Sequence, residues 1–230
     1  MSCILHIETS TDACSVAVSE DGQLIYHDEH LEGPSHSIVL GGMVSSAMSF
    51  ADSHAIPFDA VSVSIGPGSY TGLRIGLSMA KGLCYGRDLK LLSIPTLEIL
   101  CVPVLLGPSD LPDDALLCPM IDARRMEVYC SVFTRSLSPL LAAIPIVVDE
   151  NSFDEFLSAH PVYFFGNGSD KCKPIVQHPN AHFIDGIRPL AKNMMPLAEK
   201  LHAQCDFTDL AYSEPFYLKE FQAVKSKKTI

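Results

Sequence analysis

The stretch SIGPGSYTGLRIGLSMAKGL, residues 64–83, decides how this sequence of 230 residues is interpreted. An apolar, β-branched run (60–66) leads into it, and a helical pattern at about 71–85 follows, which predicts a strand, a glycine turn and a helix. The stretch contains five of the chain's fourteen glycines. Because backbone N–H groups at a helix N-terminus attract anions, the first question is whether this turn binds phosphate.

Neither common phosphate-loop template fits the turn. A Walker A loop ends in Gly-Lys followed by Ser or Thr, whereas Leu73 follows Gly72 here. A dinucleotide fingerprint needs its third glycine one position earlier than Gly72. Tight packing of the turn within its own domain explains the glycines equally well. The residues that remain as candidates for a weak anion-binding loop are Ser10, Thr11, Gly66, Gly68 and Ser69.

Small residues recur every fourth position along the helix after the turn, so they lie on one face. Glycine inside a helix costs about 1 kcal/mol relative to alanine, and close approach of another backbone would offset that cost. The approaching element is either the domain's own sheet or a second subunit. A preceding helix, at about 36–51, offers a parallel apolar line. The predicted partner interface comprises Val39, Met43, Ala47, Gly72, Leu73, Gly76 and Ala80.

Strand and helix patterns extend outward from the glycine stretch in a recognisable order. Strands are predicted at 3–9, 14–20, 23–29, 60–66 and 89–95, and a third helix begins at 96. Asp21-Gly22 separates the second and third strands, which is a strong hairpin signal. A three-stranded meander followed by alternating helices and strands predicts a mixed α/β sheet of the ribonuclease-H-like type.

A Pro-, Gly- and Asp-rich break, GPSDLPDD (107–114), divides the chain. The predicted lobes are 1–106, ribonuclease-H-like, and 107–230, a smaller α/β lobe with a basic tail. Strands are expected at 115–123, 126–134, 141–149 and 162–168. A short helix follows a capping box of Ser152 and Glu155, and a last helix spans about 189–204. The two halves show no obvious sequence repeat.

Charge limits what the chain can bind unaided. The net charge of -11 disfavours nucleic-acid binding by the body of the protein, because phosphate contacts supply most of that affinity. The exception is the tail, in which Lys225, Lys227 and Lys228 are candidates for contact with nucleic acid, although a solvated terminus explains these lysines better. The N-terminus lacks signal-peptide features and no apolar run suits a membrane helix, so a cytoplasmic chain is expected. The eight scattered cysteines are expected to be buried thiols.

Catalytic constellations are absent from the sequence. It has no H-E-x-x-H and no G-x-S-x-G motif, so no catalytic residue and no metal ligand is predicted. In IDARRMEVY, Asp122 and Glu127 flank Arg124 and Arg125, which predicts a hairpin ion pair. GNGSD (166–170) is either a second anion-binding turn or a loop with a helix N-cap.

Four blocks together resemble the bacterial TsaB family, formerly YeaZ. They are ILHIETSTDACSVAVSEDG (4–22), the glycine stretch, IDARRMEVYCSVF (121–133) and EPFYLKEFQAVK (214–225). The resemblance implies a two-lobed α/β fold of the actin, Hsp70 and sugar-kinase (ASKHA) superfamily, with ribonuclease-H-like mixed sheets and a reduced second lobe. Glu8 stands where many family members carry Asp, which is a mild departure.

The resemblance also implies a role in forming N6-threonylcarbamoyladenosine (t6A) in tRNA. Family members are non-catalytic subunits that bind and activate TsaD together with TsaE, form homodimers when isolated and meet tRNA only through the complex. The first two helices supply the contact. No cofactor of the chain's own is expected, although an adenine nucleotide at a site completed by TsaD is compatible with the family. TsaD carries an H-x-x-x-H metal motif where this chain reads PTLEILC (95–101).

Two alternatives remain open at this stage. One is an active enzyme: a nucleotide-dependent member of the same superfamily, or a metallopeptidase of the glycoprotease-like M22 type. The other is a simple RNA-binding module, which the acidic body disfavours. A bulky side chain at Gly76 is expected to block association while leaving the monomer folded, unless Gly76 packs against its own domain.

Overall fold

The computed structural model describes residues 2–33, 35–107 and 110–219. The first lobe alternates strands and helices as the sequence predicts. Its elements are β1 (Cys3–Glu8), β2 (Cys14–Glu20), β3 (Gln23–His30), α1 (His36–Ser53), β4 (Ala60–Gly66), α2 (Tyr70–Arg87), β5 (Lys90–Pro95) and α3 (Thr96–Leu106).

The first sheet has the order β3-β2-β1-β4-β5. β1, β2 and β3 form an antiparallel meander, and β4 and β5 add in parallel to β1. Asp21 and Gly22 both adopt left-handed conformations (φ 48° and 74°) in the turn between β2 and β3, which confirms the predicted hairpin. α1 and α2 cover one face of the sheet, because their apolar stripes pack against Leu5, Val16 and Val63.

The second lobe is built on the same plan. Its sheet has the order β10-β9-β6-β7-β8, with an antiparallel meander and two parallel additions. Its elements are β6 (Leu116–Asp122), β7 (Glu127–Thr134), β8 (Pro139–Val147), α4 (Asp154–Leu157), β9 (Val162–Phe165), β10 (Ala181–Ile184) and α5 (Met195–Ala203). This repeated topology confirms the two-lobed α/β architecture with ribonuclease-H-like sheets that the sequence analysis expects.

The second lobe is reduced in its helices. α4 has 4 residues and the next helical segment, Asp170–Cys172, is a 3-residue 3₁₀ turn. The corresponding α1 and α2 each have 18 residues. The predicted capping box is wrong, because the Ser152 hydroxyl donates to Asp149 and Phe153 is the N-cap without a side-chain bond. β10 is not predicted, since its four residues carry little periodicity.

α3 and the segment after 190 join the lobes. One side of α3 packs with Leu92 and Ile94 of the first sheet, and its other side packs with Leu117 and Phe165 of the second. Residues 191–203 return to the first lobe, where Met194 and Ala198 cover its sheet. The linear division at 107 therefore separates the two sheets but does not follow the packing of this segment. Within the described ranges no helix is long and apolar enough to cross a bilayer.

Candidate functional site

A cleft of about 630 Å³ opens between the two lobes. Its first wall is the loop after β1 together with the turn that enters α2, and its second wall is the β6–β7 hairpin with the turn after β9. Four of the five predicted anion-loop residues line it, namely Ser10, Thr11, Gly68 and Ser69. Gly66 lies behind them, under the backbone of Phe216.

Backbone amides of the glycine turn form hydrogen bonds within the protein itself. The Ser69 amide donates to the Ser10 carbonyl (2.6 Å), and the Ser69 hydroxyl accepts from the Gly72 amide (3.2 Å). A Cβ on Gly68 would lie 2.3 Å from the Ser10 carbonyl oxygen. These contacts use amides that a phosphate loop would present to its ligand, and they require glycine for close packing. The structure thus favours the packing interpretation of this turn.

Glu8 is a fully buried carboxyl directly behind the first wall of the cleft. Its Oε1 accepts from the Ser10 amide (2.8 Å), whereas Oε2 has no hydrogen-bond partner. Burial raises the pKa of Glu8 to about 7, although hydrogen bonds from Ser10 and Ser64 act in the opposite direction. The buried Glu8 side chain is not part of the cleft lining.

The β6–β7 hairpin does not form the ion pair that the sequence predicts. Arg124 and Arg125 adopt left-handed conformations (φ 74° and 51°) at the tip of the hairpin. The carboxylates of Asp122 and Glu127 form ion pairs with lysines instead. Asp122 pairs with Lys171, and Glu127 pairs with Lys219 of the C-terminal segment. Two of the acidic groups at the cleft are therefore neutralised by lysines distant in sequence.

The turn after β9 repeats the turn after β4. Gly66-Pro67-Gly68-Ser69 and Gly166-Asn167-Gly168-Ser169 follow topologically equivalent strands, and both first glycines have positive φ (117° and 99°). The Ser169 hydroxyl donates to the Gly166 carbonyl (2.8 Å), so the turn closes on itself before a short 3₁₀ segment. This G-x-G-S pair is a sequence signal of the internal repeat that the sequence analysis missed.

The residues present do not fit the metal site of the TsaD type. Within α3, Leu97, Ile99 and Leu100 are buried and apolar, so these side chains offer no metal ligand. Across residues 2–33, 35–107 and 110–219, no group of three or more His, Cys, Asp or Glu side chains could hold a metal ion. Seven of the eight cysteines are buried thiols as predicted, and Cys205 is exposed.

The predicted interface stripe faces the chain's own sheet, which corrects that prediction. A Cβ on Gly72 would lie 2.1 Å from the Thr9 carbonyl oxygen, and one on Gly76 would lie 2.2 Å from Thr9 Oγ1. Packing of α2 against the end of β1 explains both glycines. The other stripe residues also belong to the core, with Val39 half-buried and four others buried: Met43, Ala47, Leu73 and Ala80.

The opposite, outward side of α1 and α2 forms a surface that we call the outer helix face. A groove of about 620 Å³ runs along it, lined by Ser37, Arg74, Ile75, Ser78, Met79, Gly82 and Leu83. Ile38 is 82% exposed beside it, and Tyr85 is 86% exposed on the same helix as the groove. Added Cβ atoms at four exposed helical glycines would meet nothing within 4 Å: Gly41, Gly42, Gly82 and Gly86.

The predicted tRNA contacts at Lys225, Lys227 and Lys228 lie outside the described residues. The segment that leads to them is described as far as Lys219, and it lines the cleft. Its apolar and aromatic residues gave no periodic signal that could have placed it.

Comparison with known proteins gives a consistent family. The sequence profile described as "TsaD: tRNA N6-adenosine threonylcarbamoyltransferase" matches residues 31–223. The tRNA threonylcarbamoyladenosine biosynthesis protein TsaB of Escherichia coli (strain K12) is 29% identical, and the match covers 96% of each chain. The protein of the same name from Bacillus subtilis (strain 168) is 28% identical over 76% of this chain and 75% of its own.

Solved structures agree with the sequence matches. YeaZ from Pseudomonas aeruginosa superimposes with a TM-score of 0.78 and 26% identity, over 95% of this chain and 100% of that one. A second structure from the same organism, of an uncharacterized protein similar to peptidase YEAZ, has a TM-score of 0.80 at 24% identity. It covers 95% of this chain and 100% of its own, and it supports the fold.

Proposed function

The chain belongs to the TsaB (YeaZ) family, within the wider TsaD family, and on this basis we propose that it is a non-catalytic subunit that binds TsaD. A role in t6A biosynthesis follows from the family itself. The finer proposal is that the chain binds and activates TsaD together with TsaE, in the cytoplasm. tRNA would be met only through the assembled complex, with the lysines of the tail contributing.

The outer helix face is the observation that carries the proposal. Glycine in a helix interior is unfavourable by about 1 kcal/mol relative to alanine. Among the described residues, nothing lies within 4 Å of a Cβ built at Gly41, Gly42 or Gly82, so no contact there offsets that cost. A partner helix lying in the groove would bring its backbone close to Gly82 and bury Ile38 beside it. The same surface would serve a homodimer when TsaD is absent.

The composition of this face suits a helical partner. Ile75, Met79 and Leu83 are half-buried along the groove and present apolar atoms to the solvent. Arg74 and the serines at its edge provide a polar rim, as is usual at specific interfaces. We therefore place the contact on this side of the helices rather than on the stripe of Gly72, Gly76 and Ala80.

The non-catalytic part of the proposal rests on α3 and on the cleft. α3 supplies leucine and isoleucine where TsaD would supply metal ligands, so a metallopeptidase reaction has no donor set there. The glycine turn bonds to its own chain instead of presenting its amides. We assign the chain no cofactor of its own, and an adenine nucleotide would bind only at a site completed by TsaD.

The test is association with TsaD, measured by analytical ultracentrifugation and by co-elution from native lysate with TsaE. Gly82→Arg places a long charged side chain in the groove, where the monomer has open space. We expect this variant to keep the circular dichroism and melting behaviour of the unaltered chain and to lose association with TsaD and with itself.

Asn151→Arg is the matched control, because it places the same charged side chain at an exposed position of the second lobe, away from the groove. It should associate within about two-fold of the unaltered chain, since surface changes away from a contact are nearly neutral. Undiminished binding of TsaD by Gly82→Arg would move the contact to another surface. Turnover of ATP, peptide or tRNA by the chain alone would refute the non-catalytic assignment.

A further inference from the structure

The C-terminal segment 208–219 runs from the first lobe to the second across the mouth of the cleft. It begins beside β5, where the Thr208 amide donates to the Leu91 carbonyl (2.8 Å). Its last four residues, Phe216 to Lys219, line the cleft itself. The helix before the segment, α5, already packs on the first sheet, so the segment adds further contacts beyond that core.

The first lobe holds this segment at three points. Lys81 Nζ on α2 donates to the carbonyls of Ala211 (3.2 Å) and Ser213 (3.0 Å). The Phe216 amide donates to the Ile65 carbonyl at the end of β4 (2.7 Å). The Tyr217 ring stacks on Tyr70 with 4.7 Å between ring centroids.

Arg74 contacts Tyr70, the ring on which Tyr217 stacks. Its guanidinium lies 4.8 Å from the Tyr70 ring centroid and donates to the Tyr70 hydroxyl (2.7 Å). A guanidinium over an aromatic face is attracted by the ring quadrupole, which orients the ring on which Tyr217 rests. The N-terminal turn of α2 is thus arranged to receive the segment.

The glycine stretch is also adapted to the segment. A Cβ on Gly66 would lie 2.5 Å from the Phe216 carbonyl oxygen, and Gly66 has a φ of 117° that other residues rarely adopt. Close approach of the segment therefore adds a second reason for glycine at this position. The contact between Gly66 and Phe216 is therefore part of the packing of the first lobe.

The second lobe holds the far end. Lys219 Nζ pairs with Glu127 at the start of β7, and the Glu127 side chain is only 20% exposed. This ion pair joins the segment to the hairpin that forms the opposite wall of the cleft. The lobes also meet through α3 and through the segment after residue 190.

We propose that residues 214–219 form an interlobe strap, which locks the cleft at a fixed opening and takes the place of a bridging ligand. Two-lobed proteins commonly close around a ligand that contacts both sides, because its contacts exist only in the closed state. Here the chain's own backbone and side chains supply such contacts permanently. The lobes cannot separate at the mouth without breaking the Lys219–Glu127 pair or lifting Tyr217 from Tyr70.

The experiment measures lobe separation in the isolated chain, so it does not depend on binding to TsaD. Spin labels at exposed Ser46 and Asn151, in a Cys205→Ser background, report the distance between the lobes by pulsed electron paramagnetic resonance. Hydrogen exchange at the Phe216 amide reports detachment of the strap. The double variant Tyr217→Ala, Lys219→Ala should broaden the distance distribution and accelerate exchange at Phe216 by about ten-fold or more, beyond what loss of one exposed ion pair allows.

Two controls separate the strap from general surface effects. Lys173→Ala removes an ion pair with Asp185 inside the second lobe, and Tyr212→Ala removes a tyrosine that is 86% exposed. Both should leave the distance distribution unchanged. Circular dichroism of each variant checks that the fold is intact.

A charge exchange tests the ion pair directly. Lys219→Glu should open the cleft, because it faces Glu127 with a like charge, and adding Glu127→Lys should restore the original distance distribution. An unchanged distribution in both the double alanine variant and the charge-reversed variant would overturn the proposal. So would opening by Lys219→Glu that the second substitution fails to reverse.

Discussion

At the residue scale, glycines on the same helix have opposite physical explanations. Gly76 faces inward, where Thr9 Oγ1 lies 2.2 Å from the position of an added Cβ. Gly82 faces outward, where nothing lies within 4 Å of that position. The inward glycine is required by the packing of the single chain. The outward glycine lowers the stability of the helix, and no contact among the described residues compensates for that loss.

Substitution of alanine at these two positions should change stability in opposite directions. Gly76→Ala should lower the free energy of unfolding by about 1–3 kcal/mol, because the short, buried Thr9 side chain must move. Gly82→Ala should raise it by about 0.5–1 kcal/mol through helix propensity alone. Urea denaturation of the two variants measures both. An unchanged free energy of unfolding for Gly76→Ala would mean that the Thr9 side chain moves without a loss of stability.

Two buried ionisable groups on β1 affect stability in opposite directions with pH. His6 lies between the hydroxyls of Ser62 (2.7 Å) and Ser19 (2.8 Å), and burial lowers its pKa to about 3. Glu8, at the end of the same strand, has a pKa raised by burial to about 7. Both groups are therefore uncharged in the folded protein over much of the weakly acidic range.

The pH dependence of Glu8 can be isolated by comparison with Glu8→Gln. The folded protein holds the Glu8 proton more tightly than the unfolded chain, whose pKa is near 4.5, so ionisation favours unfolding. Relative to Glu8→Gln, the unaltered chain should be most stable below pH 4.5 and lose roughly 3 kcal/mol as pH rises through 7. Urea unfolding from pH 4 to pH 8 checks this difference. A difference independent of pH would show that Glu8 does not titrate as its burial implies.

At the scale of elements, three sides of α2 make different contacts. Its inner side, with Leu73 and Leu77, closes the core of the first lobe. Its N-terminal turn and Lys81 hold the C-terminal segment. Its outer side contributes most of the groove. One helix thus connects the core, the proposed strap and the proposed partner surface.

α3 is the element that joins the two sheets. Leu100 is fully buried and packs with residues of the second lobe, and it lies 3.2 Å from an added Cβ at Gly166. Ile99, its neighbour in sequence, packs with the first sheet instead. Because α3 is apolar on both sides, it is shared by the two cores and the lobes are expected to unfold together.

Leu100→Ala should test this shared core. We expect a loss of about 2–5 kcal/mol, the usual range for truncation of a fully buried leucine. Hydrogen exchange should accelerate equally in β1 of the first lobe and in β6 of the second, since both depend on α3. Leu157→Ala serves as the comparison, because it truncates a buried leucine at the end of α4 that belongs to a separate cluster. Two resolved unfolding transitions in the unaltered chain would contradict a shared core.

At the scale of the whole molecule, the interlobe cleft is retained while its chemistry is altered. The two G-x-G-S turns still face each other across it, as the repeated topology requires. In the first turn the Ser69 amide donates to the Ser10 carbonyl and the Gly72 amide donates to the Ser69 hydroxyl. On the second wall Asp122 and Glu127 are paired with lysines, so these polar groups of the cleft bond to the chain itself.

Local patterns in the sequence determined the elements and the fold class. Alternation and β-branching gave nine of the ten strands, and the Asp21-Gly22 turn gave the first hairpin. The glycine stretch, with the three other blocks, gave the family. The strands and helices depend on periodicities of two and 3.6 residues, which short windows of sequence contain in full.

Only the tertiary structure decided which side of each helix is free. Periodicity shows that Gly72, Gly76 and Ala80 share a face, but the neighbour of that face is Thr9, 63 positions before Gly72 in the chain. The same holds for Glu127 and Lys219, which are 92 positions apart and paired. Contacts between distant segments leave no local pattern, so the outer helix face, the cleft and the strap appear only once the chain is folded.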